Sequence, residues 1–236
     1  MPMPYDIAVQ ALQAESARVR ALSQNLVNAA STGYKRELTA TGFAQALAGG
    51  GVAPAGAQAT APAGMTDFRQ GMLRHTGEPA HLALDGQGFF EMRLGPSVLY
   101  TRAGAFTRDT TGRLVDAQGH ALQAVNGDLV LRGTSFRVER DGTVLEDGQP
   151  VARLRVVDFA DRSVLRRAGA ASFRGGDARP VATVAVRQGE LETSNVTTSH
   201  EMVQLMEAVK RFEFGHRVVQ TQDDLLEKAV RRLSEN

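Results

Sequence analysis

Apolar residues recur along this chain with two different periods, and the change of period divides it. Near the amino end Leu12, Val19 and Leu26 lie seven residues apart, and Ala8, Glu15, Leu22 and Ala29 run beside them. That spacing predicts a helix with two adjacent seams, stopped by Ser31, Thr32 and Gly33. One seam holds Glu15 and small alanines, so the helix is too weakly apolar to stand alone and needs partner helices. Asn25 and Asn28 interrupt its apolar face. Towards the carboxyl end Leu205, Phe212, Val219, Leu226 and Leu233 fall every seven residues, with Met202, Val209, His216, Asp223 and Val230 in the companion position. This predicts a long coiled-coil-like helix whose polar seam members, His216 and Asp223, fix register at some loss of stability. Thr198-Ser199-His200-Glu201 fits a capping box at its start, and Glu207–Arg211, Glu213–Arg217 and Glu227–Arg231 are i,i+4 pairs in the favourable order. The seam is too regular to curve over a small globule, which points to packing between molecules.

Between the helices the period shortens to two. Runs such as "RLVDA", "ALQAV", "SFRVE", "TVLE" and "VARLRVVDF" alternate from about Thr66 to Arg187, separated by Asp85-Gly86, Asn126-Gly127, Asp141-Gly142 and Asp147-Gly148. Asn-Gly and Asp-Gly favour tight hairpins, so this stretch reads as an all-β domain, a barrel or sandwich rather than a βαβ fold. Before it, Ala44 to Gly64 is nearly all Ala, Gly, Pro and Gln. It buries too little side chain to offset its ordering entropy and is expected to be a linker, idle or ordered only by neighbours. The expected fold class is therefore α+β: terminal helices packing as a coiled-coil-like stem, with a central all-β domain. The expected divisions are a helical segment at 1–43, the linker at 44–65, the β domain at 66–190 and a helical segment at 191–236.

Composition narrows the function. The 236 residues are 42% hydrophobic, enough for a core, but aromatic content is 6% and Trp is absent. A formal net charge of +1 gives no electrostatic reason to expect nucleic acid or an acidic membrane as partner. Zero Cys removes disulfides, thiolate catalysis and Cys-ligated zinc. The start, "MPMPYDIAVQ", has neither a basic region nor an apolar run, so it is not read as a cleavable secretory signal, and no segment has the roughly 20 apolar residues that span a bilayer.

Catalytic and cofactor motifs fail on inspection. "LDGQGFFEM" has Gly86 and Gly88, but Glu91 stands where a dinucleotide fingerprint needs its third glycine. "HEMVQ" begins like a zincin helix, yet Gln204 replaces the second histidine, and Glu201 is better explained as a cap. His75, His81, His120 and His216 are scattered through unlike contexts. Neither a nucleophile elbow nor a P-loop occurs, and "LRVVDFADRSVLRR" lacks the aromatic platform of a nucleic-acid site. Many Asp residues stand beside Gly, where turn formation explains them, although sequence leaves open an acid pair for glycoside hydrolysis. The reading is not an enzyme, with no cofactor and no metal.

Three stretches carry a family resemblance. "SQNLVNAASTGYKRE" is similar to the amino-terminal signature of flagellar rod, hook and hook-associated axial proteins, through Asn25, Leu26, Asn28, Thr32, Gly33, Tyr34 and Lys35, with Val27 where that family commonly has Ala. "LALDGQGFFEM" and "YTRAGAFTRDTTGRLVDAQGHALQ" resemble the central signature through Asp85, Gly86, Gly88, Phe89, Tyr100, Thr101, Arg102, Gly104, Phe106, Asp109, Gly112 and Leu114. "GELETSNVTTSHEMVQLMEAVKRFEFGHRVVQTQDDLL" resembles the carboxy-terminal signature through Leu191, Ser194, Asn195, Val196, Glu201, Met202, Arg211 and Asp223. The resemblance implies a structural subunit of the basal-body rod whose terminal helices pack with those of neighbours as the inner tube of a hollow shaft, the central domain lying outside. It implies further copies and other rod and hook axial proteins as partners, export unfolded by the flagellar type III apparatus without a cleavable signal, and a periplasm-spanning location. The expected assembly interface is Leu12, Val19, Leu22, Asn25, Leu26, Asn28, Met202, Leu205, Val209, Phe212, Val219, Leu226 and Leu233, with the two Asn amides bridging packed helices. Short length and Lys210-Arg211-Phe212-Glu213 point to the proximal-rod kind with a central domain, with a distal-rod or hook-type axial subunit as the alternative. Two rivals from other classes stand beside this reading: a wall-acting enzyme, which needs an acid pair or metal in a cleft, and a monomeric binding module whose helices fold back on the β domain.

Overall fold

The computed structural model describes residues 4–38, 65–133, 135–181 and 183–234, with side chains described between residues 11 and 221 of these. The linker proposed at 44–65 lies outside them except for Met65, and so do the side chains of Asp223, Leu226, Val230 and Leu233. The chain is α+β and forms two compact units. One comprises Met1–Val27, Glu37–Asp67 and Thr197–Asn236, the other Asn28–Arg36 and Phe68–Val196.

The first unit holds helix α1, Pro4–Val27, and helix α2, Thr198–Ser234. They run antiparallel, since Asn25 meets Glu201, Arg18 meets Gln204 and Leu12 meets Gly215. A short antiparallel ladder pairs Glu37 with Thr66 and Leu38 with Met65, so the residues on either side of segment 39–64 are directly opposed. Against the expected capping box, the first intrahelical bond of α2 runs from Glu201 N–H to Thr197 C=O at 3.0 Å. Thr197 is therefore the N-cap residue and Glu201 falls one position beyond capping-box register. The side chain of Glu201 is instead completely buried in the helix contact.

The seam facing α1 also differs in part from the one the heptads suggest. Leu205, Phe212 and Val219 are half-buried. Their buried companions are Glu201 and Ala208, with Gly215 beside Leu12, whereas Met202, Val209 and His216 are exposed. The reason is distance: alanine and glycine let two helix backbones approach, and a Cβ added at Gly215 would already stand 3.6 Å from Leu12 Cγ. A search for apolar repeats passes over that small-residue line.

In the second unit every strand ladder among the described residues is antiparallel. The central hairpin, Phe89–Leu94 with Ser97–Thr101, continues on one side to Ser172–Arg174 and on the other to Ala121–Ala124, with Val156–Asp158 also joined to Phe89 and Phe90. Strand alternation sends the two phenylalanines to different cores. Phe90 joins Leu82, Met92, Leu99, Phe106, Leu114 and Leu122; Phe89 joins Tyr100, Val157, Phe159, Leu165 and Phe173. The second cluster is an edge-to-face aromatic stack, with Phe68–Phe89 at 5.6 Å and Tyr100–Phe159 at 4.9 Å between ring centres. Of the turn dipeptides, Asp147-Gly148 is a two-residue hairpin with both φ positive, at 49° and 82°, between the paired Glu146 and Gln149. Asp85-Gly86 joins strands that do not pair with each other.

The unit boundaries fall inside two of the terminal stretches. Residues 190–192 form a strand on Leu73–His75, and Asn28–Arg36 packs with the β strands rather than continuing the helix. Asn28 thus lies beyond the end of α1, where its side chain accepts the Ser31 hydroxyl at 3.3 Å.

Candidate functional site

Two buried polar centres use the residues of the three signature stretches, one in each unit. In the β unit the strand containing Leu191 and Glu192 lies against Leu73–His75, and both residues are buried. A buried carboxylate needs charged partners, and Glu192 has two. Lys35 Nζ donates to Oε1 at 2.5 Å and Arg102 donates to Oε2 at 3.2 Å. Lys35 also donates to the Arg69 carbonyl at 2.8 Å, and Gly71 N–H donates to Oε1 at 2.9 Å. Arg102 spreads its remaining donors over the carbonyls of Leu84 and Gly86. Burial lowers the Arg102 pKa and the adjacent Glu192 carboxylate works against that shift.

Backbone bonds close the same region. Gly33 N–H donates to Glu192 C=O at 2.8 Å, Arg36 N–H to Asn195 Oδ1 at 2.7 Å, and Asn195 Nδ2 to the Arg69 carbonyl at 3.0 Å. Arg167 donates to the Lys35 carbonyl at 2.5 Å while its guanidinium lies 4.8 Å from the Tyr34 ring centre and 5.2 Å from that of Phe173. Gly33, at φ +66°, passes so close to Arg102 and Ala103 that no side chain fits there. Residues 33–36, 102–104 and 191–195, remote in sequence, are thus one interlocked structure. Sequence reading noted Lys35 and Arg102 without their function and missed Glu192, which falls in the stretch 191–236 read as helical, whereas it lies on the strand Glu190–Glu192. The one available clue was charge: a lysine after Gly33-Tyr34 needs an anion if it is buried.

In the helical unit Asn25 is completely buried. Its side chain pairs with the backbone of Glu37 as another strand residue would, Nδ2 donating to Glu37 C=O at 2.9 Å and Oδ1 accepting Glu37 N–H at 2.8 Å. Nδ2 also reaches Glu201 Oε2 at 3.0 Å, which ties α1 to α2 within this chain. Arg18 donates to Gln204 at 2.7 Å one turn further along. Of the other sequence-chosen residues on the helices, Leu22 is buried, and Leu12, Val19, Leu26, Leu205, Phe212 and Val219 are half-buried. Met202 and Val209 face outward, and Leu226 and Leu233 lie beyond the described side chains. The outward surface carries apolar side chains among its charged ones: Met202 is 49%, Met206 59% and Phe214 71% exposed, and Val27 on α1 is 81% exposed.

The turn carboxylates are poor candidates for acid catalysis. Asp109 is held well below the carboxylate range by the Thr111 hydroxyl and by Arg113, Asp141 is lowered by the Thr143 N–H and hydroxyl, and Asp161 by the Ser163 hydroxyl and N–H. Each stays ionised where a general acid would have to hold a proton. Among the described residues no helix is long and apolar enough to cross a membrane, and no group of His, Asp and Glu is arranged to hold a metal.

Comparison with known proteins bears on both centres. Residues 187–232 match the family model described as flagellar basal body rod FlgEFG protein C-terminal, and residues 83–146 match the flagellar hook protein FlgE/F/G D1 domain. The chain is 31% identical to the flagellar basal-body rod protein FlgF of Caulobacter vibrioides over 71% of each chain. It is 29% identical to FlgF of Escherichia coli over 90% of each. It is 28% identical to FlgG of Buchnera aphidicola from Acyrthosiphon pisum over 94% of this chain and 96% of that one. Relatives of both names therefore match at similar identity. The chain belongs to the flagellar basal-body rod proteins and is a structural subunit of the rod of the bacterial flagellar basal body.

Proposed function

We propose that this rod subunit assembles through its terminal helices, as a coiled-coil-like stem, into a hollow helical drive shaft for motility. Its partners are further copies and other rod and hook axial proteins, and it reaches the rod through the flagellar type III export apparatus. The observation that carries the reading is that the helix pair leaves large apolar side chains of α2 exposed among its charged residues. Met202, Met206 and Phe214 are far more exposed than isolated hydrophobes on a finished surface need to be, and they lie along one helix with Val203, Val209 and Val218. Rod proteins assemble with other basal-body components, and a surface of this kind suits such contacts. Lys210-Arg211-Phe212-Glu213 in α2 supports the proximal-rod kind.

The test replaces an outward and a half-buried member of α2. Phe214→Asp places a carboxylate in the proposed outward contact and Val219→Asp places one on the seam that faces α1 in the stem, each at several kcal/mol per copy. Each variant is expected to give non-motile cells with a stable, exported but unincorporated subunit, while Val219→Leu swims nearly normally. Normal motility with both Asp variants refutes assembly through this helix.

A further inference from the structure

We infer that the Lys35–Arg102–Glu192 cluster is a closing latch: the β unit stays open until residues 186–196 have been delivered. The inference rests on the β unit alone and stands or falls apart from the assembly reading.

The structure places the last strands of this unit where earlier ones cannot do without them. Leu82–Leu84, fully buried, has Val186–Gln188 as its ladder partner, and Leu73–His75 has Glu190–Glu192. Gln188 Oε1 accepts Val138 N–H at 2.9 Å, and Val186 N–H donates to Arg140 C=O at 2.8 Å. Glu192 lies 90 residues from Arg102 and 157 from Lys35, and it supplies the carboxylate that both buried cations share. A chain released amino terminus first, from a ribosome or a channel, makes Lys35 and Arg102 available long before Glu192. Until then, closing the unit would bury two cations without that counter-charge and leave inner strands without their ladders. Breaking a buried ion pair from one side is among the most destabilising single changes known. Contacts of such sequence separation also form late, because the loop between them must be closed first. The consequence is a β sequence that remains threadable until almost all of it has emerged, with the trigger at its far end.

Two measurements test this. In the full-length protein, Glu192→Gln is expected to speed unfolding in urea by roughly a hundredfold while the refolding rate changes little, as for a contact absent from the folding transition state. Glu190→Gln, two residues earlier on the same strand, is expected to leave both rates near the parent values. Refolding slowed by the same hundredfold, with unfolding unchanged, would overturn the latch and make Glu192 part of the nucleus. Should Glu192→Gln fail to fold at all, the parent sequence still decides. Chains arrested on the ribosome are expected to yield a protease-resistant β fragment once residue 196 has emerged, and none when only residues up to 181 have. Resistance at 181 would refute the inference.

Discussion

Replacing Gly33 by alanine separates two costs that usually arrive together. Gly33 has φ +66°, in the left-handed region, and its Cβ would stand 2.2 Å from Ala103 N and 2.4 Å from Arg102 C. Both are backbone atoms and have no flexible end to swing away. Gly119 offers the comparison: φ is +83°, and an added Cβ meets nothing within 4 Å. An alanine at either site incurs about 1 kcal/mol for the left-handed conformation. Either variant also gains the same small entropic stabilisation from a stiffer unfolded chain, which cancels in the comparison. Only Gly33→Ala adds overlap, for which about 1–3 kcal/mol is the usual cost of forcing backbone apart. That displacement also pulls on the bond from Gly33 N–H to Glu192 C=O at 2.8 Å. With a urea dependence of about 2–3 kcal/mol per molar for a unit of this size, Gly119→Ala should lower the midpoint by about 0.5 M or less. Gly33→Ala should lower it by about 0.7–2 M. Tyrosine near-ultraviolet circular dichroism reads the β unit directly, because Tyr34 and Tyr100 are both buried there and the chain has no Trp. Equal midpoints for the two variants would refute the argument that residues 33–36 are seated against the strand end at 102–104.

Other expected outcomes follow from the same geometry. Asn25→Leu removes the hydrogen bonds to Glu37 and Glu201 at a completely buried position and should weaken the helix pair by about 2–4 kcal/mol, read as lost ellipticity at 222 nm. Asn25→Asp should be worse at neutral pH, since it sets a second carboxylate beside Glu201, and should recover on acidification; insensitivity of the Asp variant to pH would count against this geometry. Asp109, Asp141 and Asp161 each titrate below their ordinary value of 3.8 in the folded protein. A carboxylate depressed in the folded state adds stability above its unfolded pKa and loses it as pH falls through the folded one. The urea midpoint of the β unit should therefore decline below about pH 4, and Asp109→Asn should flatten part of that decline; an unchanged slope would show that the turn contributes nothing.

Local chemistry was enough to make the larger divisions of this chain legible. Period-seven apolar spacing gave α1 and α2, alternation gave the strands, and Asp147-Gly148 announced a hairpin, because each depends on neighbours in sequence. The signature residues were visible too, but only as a pattern. What they do was decided by tertiary structure. Glu192 stands in the stretch read as helical, and only Lys35 and Arg102, from 157 and 90 residues away, give it a role, because the identity of a charge partner is a property of space. Glu201 fits a capping box by spacing, yet helix α2 begins one residue earlier and a buried Asn25 claims its carboxylate. Ala208 and Gly215 carry no apolar signal, since their contribution is the volume they leave for another helix to occupy. Sequence therefore determined which segments bury a face. Which face meets which neighbour, and which charges pair out of water, followed only from close packing between residues far apart in the chain.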